Sequence, residues 1–178
     1  MKDDLKIKLL FENNIDIDNR IVYLFDEISQ ESSLNIIRNL TYLDQTEGDI
    51  KIVINSHGGS VPSGFAIVDC ILKLKNNTIG YVAGQAASMA VDVLQACTTR
   101  SMSKFSSIMI HAGNVSLDGE VTAAKNLADS MIRDLGLSMD FWMKKIKISK
   151  KRLQEMLNTD TFLYAKDALK YGFVDEIK

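Results

Sequence analysis

Short hydrophobic runs alternate with helically spaced apolar residues along most of the chain. Runs of this kind predict buried strands at residues 21–25, 50–54, 78–83, 107–110 and 173–175, the third broken by Gly84. Apolar residues at helical spacing predict intervening helices at residues 32–43, 63–73 and 87–96, and another beginning near Ser149. This alternation predicts an α/β fold with a largely parallel sheet.

One predicted helix is much longer than the others and runs from Glu120 to about Ile146. Its apolar stripe covers one face over a length greater than a small domain needs to cover its own sheet. We expect one half of this helix to pack on the core. The other half, around residues 121–131, is a candidate for packing against another subunit.

The composition indicates one globular domain spanning residues 1–178. The chain has 178 residues with a single proline, Pro62, and no Gly/Ser linker that would mark an internal boundary. Its net charge of −2 argues against nucleic-acid binding, which needs a basic face. There is no secretory hydrophobic region and no apolar run long enough to cross a bilayer, so we expect a cytoplasmic location and no membrane partner.

Two cysteines, Cys70 and Cys97, lie in apolar surroundings without metal-ligand spacing. They are too few for a disulfide framework, and buried reduced thiols are the favoured interpretation. We expect no metal and no organic cofactor.

A candidate nucleophile, Ser88, lies within Gly84-Gln85-Ala86-Ala87-Ser88-Met89-Ala90, between a predicted strand and a predicted helix. Small neighbours allow a sharp turn there, and free amides at a helix N-terminus favour negative charge. A serine in this place can equally be an ordinary helix cap.

A glycine turn, Asn55-Ser56-His57-Gly58-Gly59-Ser60-Val61, follows another predicted strand. Adjacent glycines allow a backbone that aims an amide at a ligand oxygen. Phosphate binding is an alternative, but neither a P-loop lysine nor a GxGxxG pattern accompanies the turn. Amides of Gly59 and Met89 forming an oxyanion hole are the more specific interpretation.

The chain has two histidines, so a serine–histidine enzyme must use one of them as its base. His111 ends an apolar strand, where open α/β sheets place functional groups. His57 lies in the glycine turn and is a possible second base or substrate contact. Asp160 is a reasonable orienting acid, while Asp167 and Asp92 are weaker rivals because both fall within predicted helices.

The chain resembles the ClpP family, the serine peptidase subunits of the caseinolytic (Clp) protease, over about residues 20–178. The resemblance is carried by five segments in the family's order: Arg20-Ile21-Val22-Tyr23-Leu24, Ile54-Asn55-Ser56-His57-Gly58-Gly59, Gly84-Gln85-Ala86-Ala87-Ser88-Met89, Met109-Ile110-His111, and Asp160-Thr161-Phe162 followed by Ala165. The G-Q-A-A-S-M string is the most specific of them.

This resemblance implies a crotonase-like α/β fold and a catalytic triad of Ser88, His111 and Asp160, with Gly59 and Met89 as oxyanion donors. It implies hydrolysis of unfolded proteins through an acyl-enzyme, inside stacked rings that are commonly two sevens. The family's handle region corresponds to about residues 112–146. A Clp ATPase that unfolds substrates is the partner that the resemblance suggests.

The sequence also departs from the family pattern. His57 stands where the family usually has proline, and Ala112-Gly113 follow the histidine where proline is usual. We expect the N-terminal axial segment, about residues 1–19, to be a shortened form of the family's. A phage capsid-maturation peptidase, a crotonase-fold enzyme of acyl-CoA chemistry and an inactive ring subunit are the alternatives.

Overall fold

A computed structural model describes residues 8, 10, 12–113 and 120–178. The strands are β1 (Ile15–Asp16), β2 (Ile21–Leu24), β3 (Ile50–Ser56), β4 (Thr78–Ala87), β5 (Thr99–Met102), β6 (Ser107–Ile110), β7 (Thr161–Tyr164) and β8 (Glu176–Ile177). The helices are α1 (Gln30–Leu43), α2 (Val61–Lys73), α3 (Met89–Ala96), α4 (Val121–Trp142), α5 (Lys150–Leu157) and α6 (Ala165–Tyr171). Part of the predicted axial segment (1–19), namely residues 1–7, 9 and 11, lies outside the described residues. The same holds for residues 114–119 of the predicted handle (112–146).

The strands form one sheet in the order β1-β2-β3-β4-β5-β8, with β6 paired to β4 and β7 paired to β6. Five of these pairings are parallel, and β1–β2 and β6–β7 are antiparallel. A helix lies in each of the crossovers from β2 to β3, from β3 to β4 and from β4 to β5, since parallel neighbours need a connection of this length. The predicted α/β fold with a mostly parallel sheet is confirmed.

Strand β4 is longer than the sequence predicts and joins two neighbours. Its first half pairs with β5 through residues 79–82, and its second half pairs with β6 through residues 85–87. Contrary to the prediction, Gly84 does not break the strand. It instead adopts a φ of +120° at an irregularity in the β3–β4 register and lets the strand continue to Ala87.

Several other predicted boundaries were wrong, for local reasons. Helix α1 begins at Gln30 because Ser29 is its N-cap, and Ser32 is the third helical residue of a capping box. Helix α4 ends at Trp142 rather than about Ile146, and the last strand lies at Glu176–Ile177 rather than at 173–175. The short elements β1, β5, β7 and α6 are too brief to give a clear period in the sequence.

The two halves of α4 differ in burial. Met139 and Trp142, near its C-terminal end, are buried in the core, and the Trp142 ring packs edge-on against Phe173. In contrast, in the first half of the helix, Val121 is 86% exposed and Leu127 is 47% exposed. Half of the helix therefore packs on the core, as predicted, while the other half leaves apolar side chains uncovered within this chain.

Within the described ranges, none of the helices is long and apolar enough to cross a membrane.

Gly84→Ala should lower the melting temperature. A Cβ at this position would overlap the side-chain oxygen of Asn55, and a φ of +120° is costly for any other residue, typically by ~1–3 kcal/mol. The matched control is Gly136→Ala in α4, where an added Cβ meets nothing within 4 Å and alanine favours the helix. Differential scanning fluorimetry compares the two; equal melting temperatures would contradict the assigned strain.

Candidate active site

Ser88 occupies a strained turn between β4 and α3. Its φ is +52° and its ψ is −124°, a conformation that residues with a side chain rarely adopt. Its amide donates to the Met109 carbonyl at 2.8 Å, which holds the turn against β6. The hydroxyl makes no capping hydrogen bond to α3, so it is free for another partner.

His111 follows directly after β6 and lies beside Ser88. The parallel register aligns Ala87 with Met109, so the residues just beyond these two strand ends emerge at the same edge of the sheet. His111 Nε2 lies 2.9 Å from Ser88 Oγ, within hydrogen-bonding distance. The structure therefore brings the predicted nucleophile and the predicted base together.

Asp160 reaches the other side of the imidazole through a second strand pairing. The antiparallel register of β6 with β7 pairs Ile110 with Thr161, which places Asp160 next to His111. His111 Nδ1 lies 3.6 Å from Asp160 Oδ1, a charge-pair distance longer than a hydrogen bond. The Asp160 side chain is 61% exposed and that of His111 is 16% exposed, so solvent reaches the carboxylate much more than the ring.

The glycine turn packs directly against the Ser88 turn. A Cβ on Gly58 would lie 2.6 Å from the Ala87 carbonyl oxygen and 2.9 Å from the Met89 amide, so a side chain has no space there. Ile28 donates its amide to the Gly58 carbonyl and accepts from the Ser60 amide, which directs the intervening Gly59 amide away from Ile28.

Met89 is the first residue of α3, so its amide has no carbonyl partner in a preceding helical turn. The predicted oxyanion donors thus lie on two backbone segments that touch each other at Gly58.

Two of the rival residues, His57 and Asp167, lie away from the Ser88–His111 contact. His57 is exposed, and Asp167 is an exposed residue in the first turn of α6. In the part of the chain that the structure describes, the side-chain contacts of Ser88 and His111 involve neither of them.

Sequence predictions also concerned the cysteines and the residues that could bind a metal. Cys97 is fully buried, and this burial raises the pKa of its thiol to about 12. Cys70 is half-buried rather than buried. Among residues 12–113 and 120–178, no group of three or more His, Cys, Asp or Glu side chains could hold a metal ion.

A cleft opens beside Ser88 between the faces of α3 and α4. Its walls are mainly apolar and come from Val61, Met89, Met131, Leu135 and Trp142. Its polar lining, besides Ser88 and His111, comes from Asp92, Asp134 and Ser138. A substrate bound at Ser88 would therefore place a neighbouring side chain between two helices.

Asp92 is the unusual residue of this cleft. It lies one helical turn after Ser88, is only 3% exposed, and accepts a hydrogen bond from Trp142 Nε1 at 3.0 Å. Burial raises the pKa of its carboxyl to about 7, although hydrogen bonds from Ser138 and Trp142 oppose the shift. From the sequence, Asp92 was only a rival orienting acid. The signal for a different role was an acidic residue within the otherwise apolar run Met89-Ala90-Val91-Asp92-Val93-Leu94.

Comparison with known proteins identifies the family. The family described as Clp protease matches residues 13–178. The chain belongs to the Clp protease family. It is accordingly a serine-type peptidase, and the resemblance stated from the sequence is confirmed.

Similar members of the Clp protease family come from several bacteria. The ATP-dependent Clp protease proteolytic subunit of Borreliella afzelii is 32% identical over 162 residues, which cover 89% of this chain and 82% of that protein. ATP-dependent Clp protease proteolytic subunit 1 of Protochlamydia amoebophila is 31% identical over 168 residues, covering 90% of this chain and 81% of that protein. The subunit 1 of Chlamydia muridarum is 28% identical, with 90% and 87% covered.

Asp92→Asn should stabilise the protein more at pH 8 than at pH 5. Between pH 3.8, the ordinary pKa of an aspartate, and about 7, the unfolded chain releases the Asp92 proton while the folded chain keeps it, so stability falls as pH rises through this window. Asparagine cannot ionise and avoids that loss, which is on the order of a few kcal/mol at most.

The measurement is the melting-temperature difference between variant and wild type across pH 5–9, which cancels the titration of other groups. Asp129→Asn, at an exposed position of α4, is the control and should show no pH-dependent gain. An Asp92→Asn effect of the same size at every pH would show that the buried carboxyl does not titrate as assigned.

Proposed function

We propose that this member of the Clp protease family is an endopeptidase that hydrolyses unfolded polypeptides through an acyl-enzyme. Ser88 is the nucleophile, His111 the general base and Asp160 the orienting acid. The contact of 2.9 Å between His111 Nε2 and Ser88 Oγ carries the proposal, because a base must reach the proton that it removes. The strained Ser88 turn supports it, since strain of this kind is found where a hydroxyl has to be presented to a substrate.

The proton route follows from the two sides of the imidazole. A proton on Nδ1 faces Asp160, which leaves the Nε2 lone pair to accept the Ser88 proton as Oγ attacks the substrate carbonyl. His111 then delivers that proton to the leaving amine, and water repeats the sequence to release the acyl group. Closing the Nδ1–Oδ1 distance of 3.6 Å needs only a small movement of the exposed Asp160 side chain.

The amides of Gly59 and Met89 are the donors proposed for the oxyanion. Hydrogen bonds of Gly58 and Ser60 with Ile28 fix the backbone on both sides of Gly59. Met89 is the first residue of α3, where the helix dipole is positive. Two fixed donors of this kind typically contribute about 3–4 kcal/mol each. Such a pair would also suit acyl-CoA chemistry, but that chemistry leaves the Ser88–His111 contact without a purpose.

We infer further that the subunit assembles into rings, with two sevens stacked around a chamber. The exposed apolar side chains of α4, including Val121 and Ile132, favour burial against another subunit. The names of the relatives describe ATP-dependent proteolytic subunits, and on that basis an unfolding Clp ATPase is the proposed partner. The cytoplasmic location stays a prediction that cell fractionation would test.

Ser88→Ala should abolish peptide cleavage, lowering kcat by roughly 10⁴-fold or more because no nucleophile remains. It should also abolish labelling by a fluorescent fluorophosphonate, which reacts with an activated serine. The control is Ser63→Ala, a serine of α2 outside the cleft, which should keep both activities.

Native mass should be unchanged in the Ser88→Ala variant and should correspond to a large ring. Wild-type labelling at a serine other than Ser88 would remove Ser88 from its proposed role. A stable monomer for the wild type would contradict the chamber while leaving the chemistry of Ser88 open to the labelling result.

Asp160→Asn should lower kcat by roughly 10–10³-fold with a smaller change in KM, because the carboxylate orients His111 and does not bind the substrate. We expect a smaller loss than for Ser88→Ala, since Asp160 is largely exposed and 3.6 Å from the ring. Asp167→Asn, on the exposed face of α6, is the matched control and should behave as wild type. The reverse result, with Asp167 essential and Asp160 dispensable, would exchange their roles.

A further inference from the structure

The carboxyl of Asp92 is buried at the cleft beside Ser88 without a positively charged partner. No lysine or arginine is found among the described residues that line this cleft, and the ion pairs of the described chain do not include Asp92. Buried charges in proteins are normally paired. The Asp92 carboxyl is nearly inaccessible to solvent but borders the cleft. A positively charged group of a bound ligand could therefore supply the counter-ion that the carboxylate lacks.

Asp92 also retains capacity to accept another hydrogen bond. Its Oδ1 accepts from Trp142 Nε1 at 3.0 Å, and the nearby Ser138 hydroxyl also favours the ionised carboxyl. An ionised carboxylate offers about four lone-pair directions, so these two donors leave positions for a third. Trp142 and Ser138 hold the carboxyl in a fixed orientation, which reduces the entropic cost of binding a donor there.

The position of Asp92 suits a long side chain. It follows Ser88 by four residues on α3, a helical rise of ~6 Å from the nucleophile. The walls along that path are apolar, from Met89, Leu135 and Trp142. The aliphatic stem of lysine or arginine can cover apolar surface of this kind while its charged end reaches a carboxylate.

We propose that Asp92 makes this cleft selective for substrates with lysine or arginine at P1, the residue whose carbonyl Ser88 attacks. The inference rests on the proposed function, since P1 is defined by attack at Ser88. An aspartate at the base of the P1 pocket gives trypsin its preference for basic residues by the same electrostatic pairing.

The pairing should depend on pH. The pKa of Asp92, raised by burial to about 7, leaves much of the carboxyl protonated in the empty cleft below that pH. The other titratable groups lining the cleft are His111 after β6 and Asp134 on α4. His111 acts equally on every substrate, so a ratio between two substrates cancels its titration. The preference for lysine over leucine should therefore rise from pH 6 to pH 8 in the wild type.

The experiment uses the full-length protein and two fluorogenic peptides that differ only in lysine or leucine at P1. The ratio of kcat/KM for lysine over leucine should exceed one at pH 8 and fall at least tenfold in Asp92→Asn. The same variant should lose the rise of this ratio with pH. Asp69→Asn removes one negative charge from an exposed position of α2 outside the cleft and should leave the ratio as in the wild type.

The outcomes separate the two proposals. Cleavage of the leucine peptide in preference to the lysine peptide, with a ratio that neither Asp92→Asn nor pH changes, would overturn the P1 inference and leave the peptidase mechanism standing. The wild-type pH dependence tests the inference even where Asp92→Asn does not fold. Failure to cleave either peptide, together with no fluorophosphonate labelling of Ser88, would overturn the proposed mechanism and the P1 inference with it.

Discussion

Strand β6 is the constraint on which the site depends. It pairs in parallel with the end of β4 on one side and antiparallel with β7 on the other. Because strand pairing fixes which residues lie side by side, Ser88, His111 and Asp160 are brought together by backbone hydrogen bonds rather than by their own attraction. A shift of one residue in either pairing would turn the side chains to the opposite face and separate the three groups.

Close backbone packing is the second requirement, and glycine meets it at the places where the chain segments touch. Gly58 lies so near the Ala87 carbonyl and the Met89 amide that a Cβ would overlap both. Gly64, in α2, similarly makes room for the Met89 side chain. The contact between the glycine turn and the start of α3 therefore helps to set the position of the Met89 amide, and an added Cβ on Gly58 would require one of the two segments to shift.

The sequence predicted the parts of this arrangement that have local causes. Short apolar runs predicted the strand before His111 and the helix after Ser88. The adjacent glycines Gly58 and Gly59 predicted the turn that presents a backbone amide. Residue patterns could not choose Asp160 over Asp167, because that choice depends on a pairing between β6 and β7 that spans about fifty residues of chain. The continuation of β4 past Gly84 was missed for a related reason: the partner that supports it, β6, comes later in the sequence.

Helix α4 connects the proposed assembly to the proposed specificity. Its C-terminal half is anchored in the core by Met139 and Trp142, and the Trp142 indole holds the Asp92 carboxyl in place. Its other half carries uncovered apolar residues such as Val121. A helix is stiff over this length, so packing against a neighbouring subunit would also fix the wall of the cleft that Leu135 contributes. Helix α4 thus carries both the surface that would join subunits and a wall of the pocket that would select substrates. The geometry of that pocket would depend on how the subunit surface is buried.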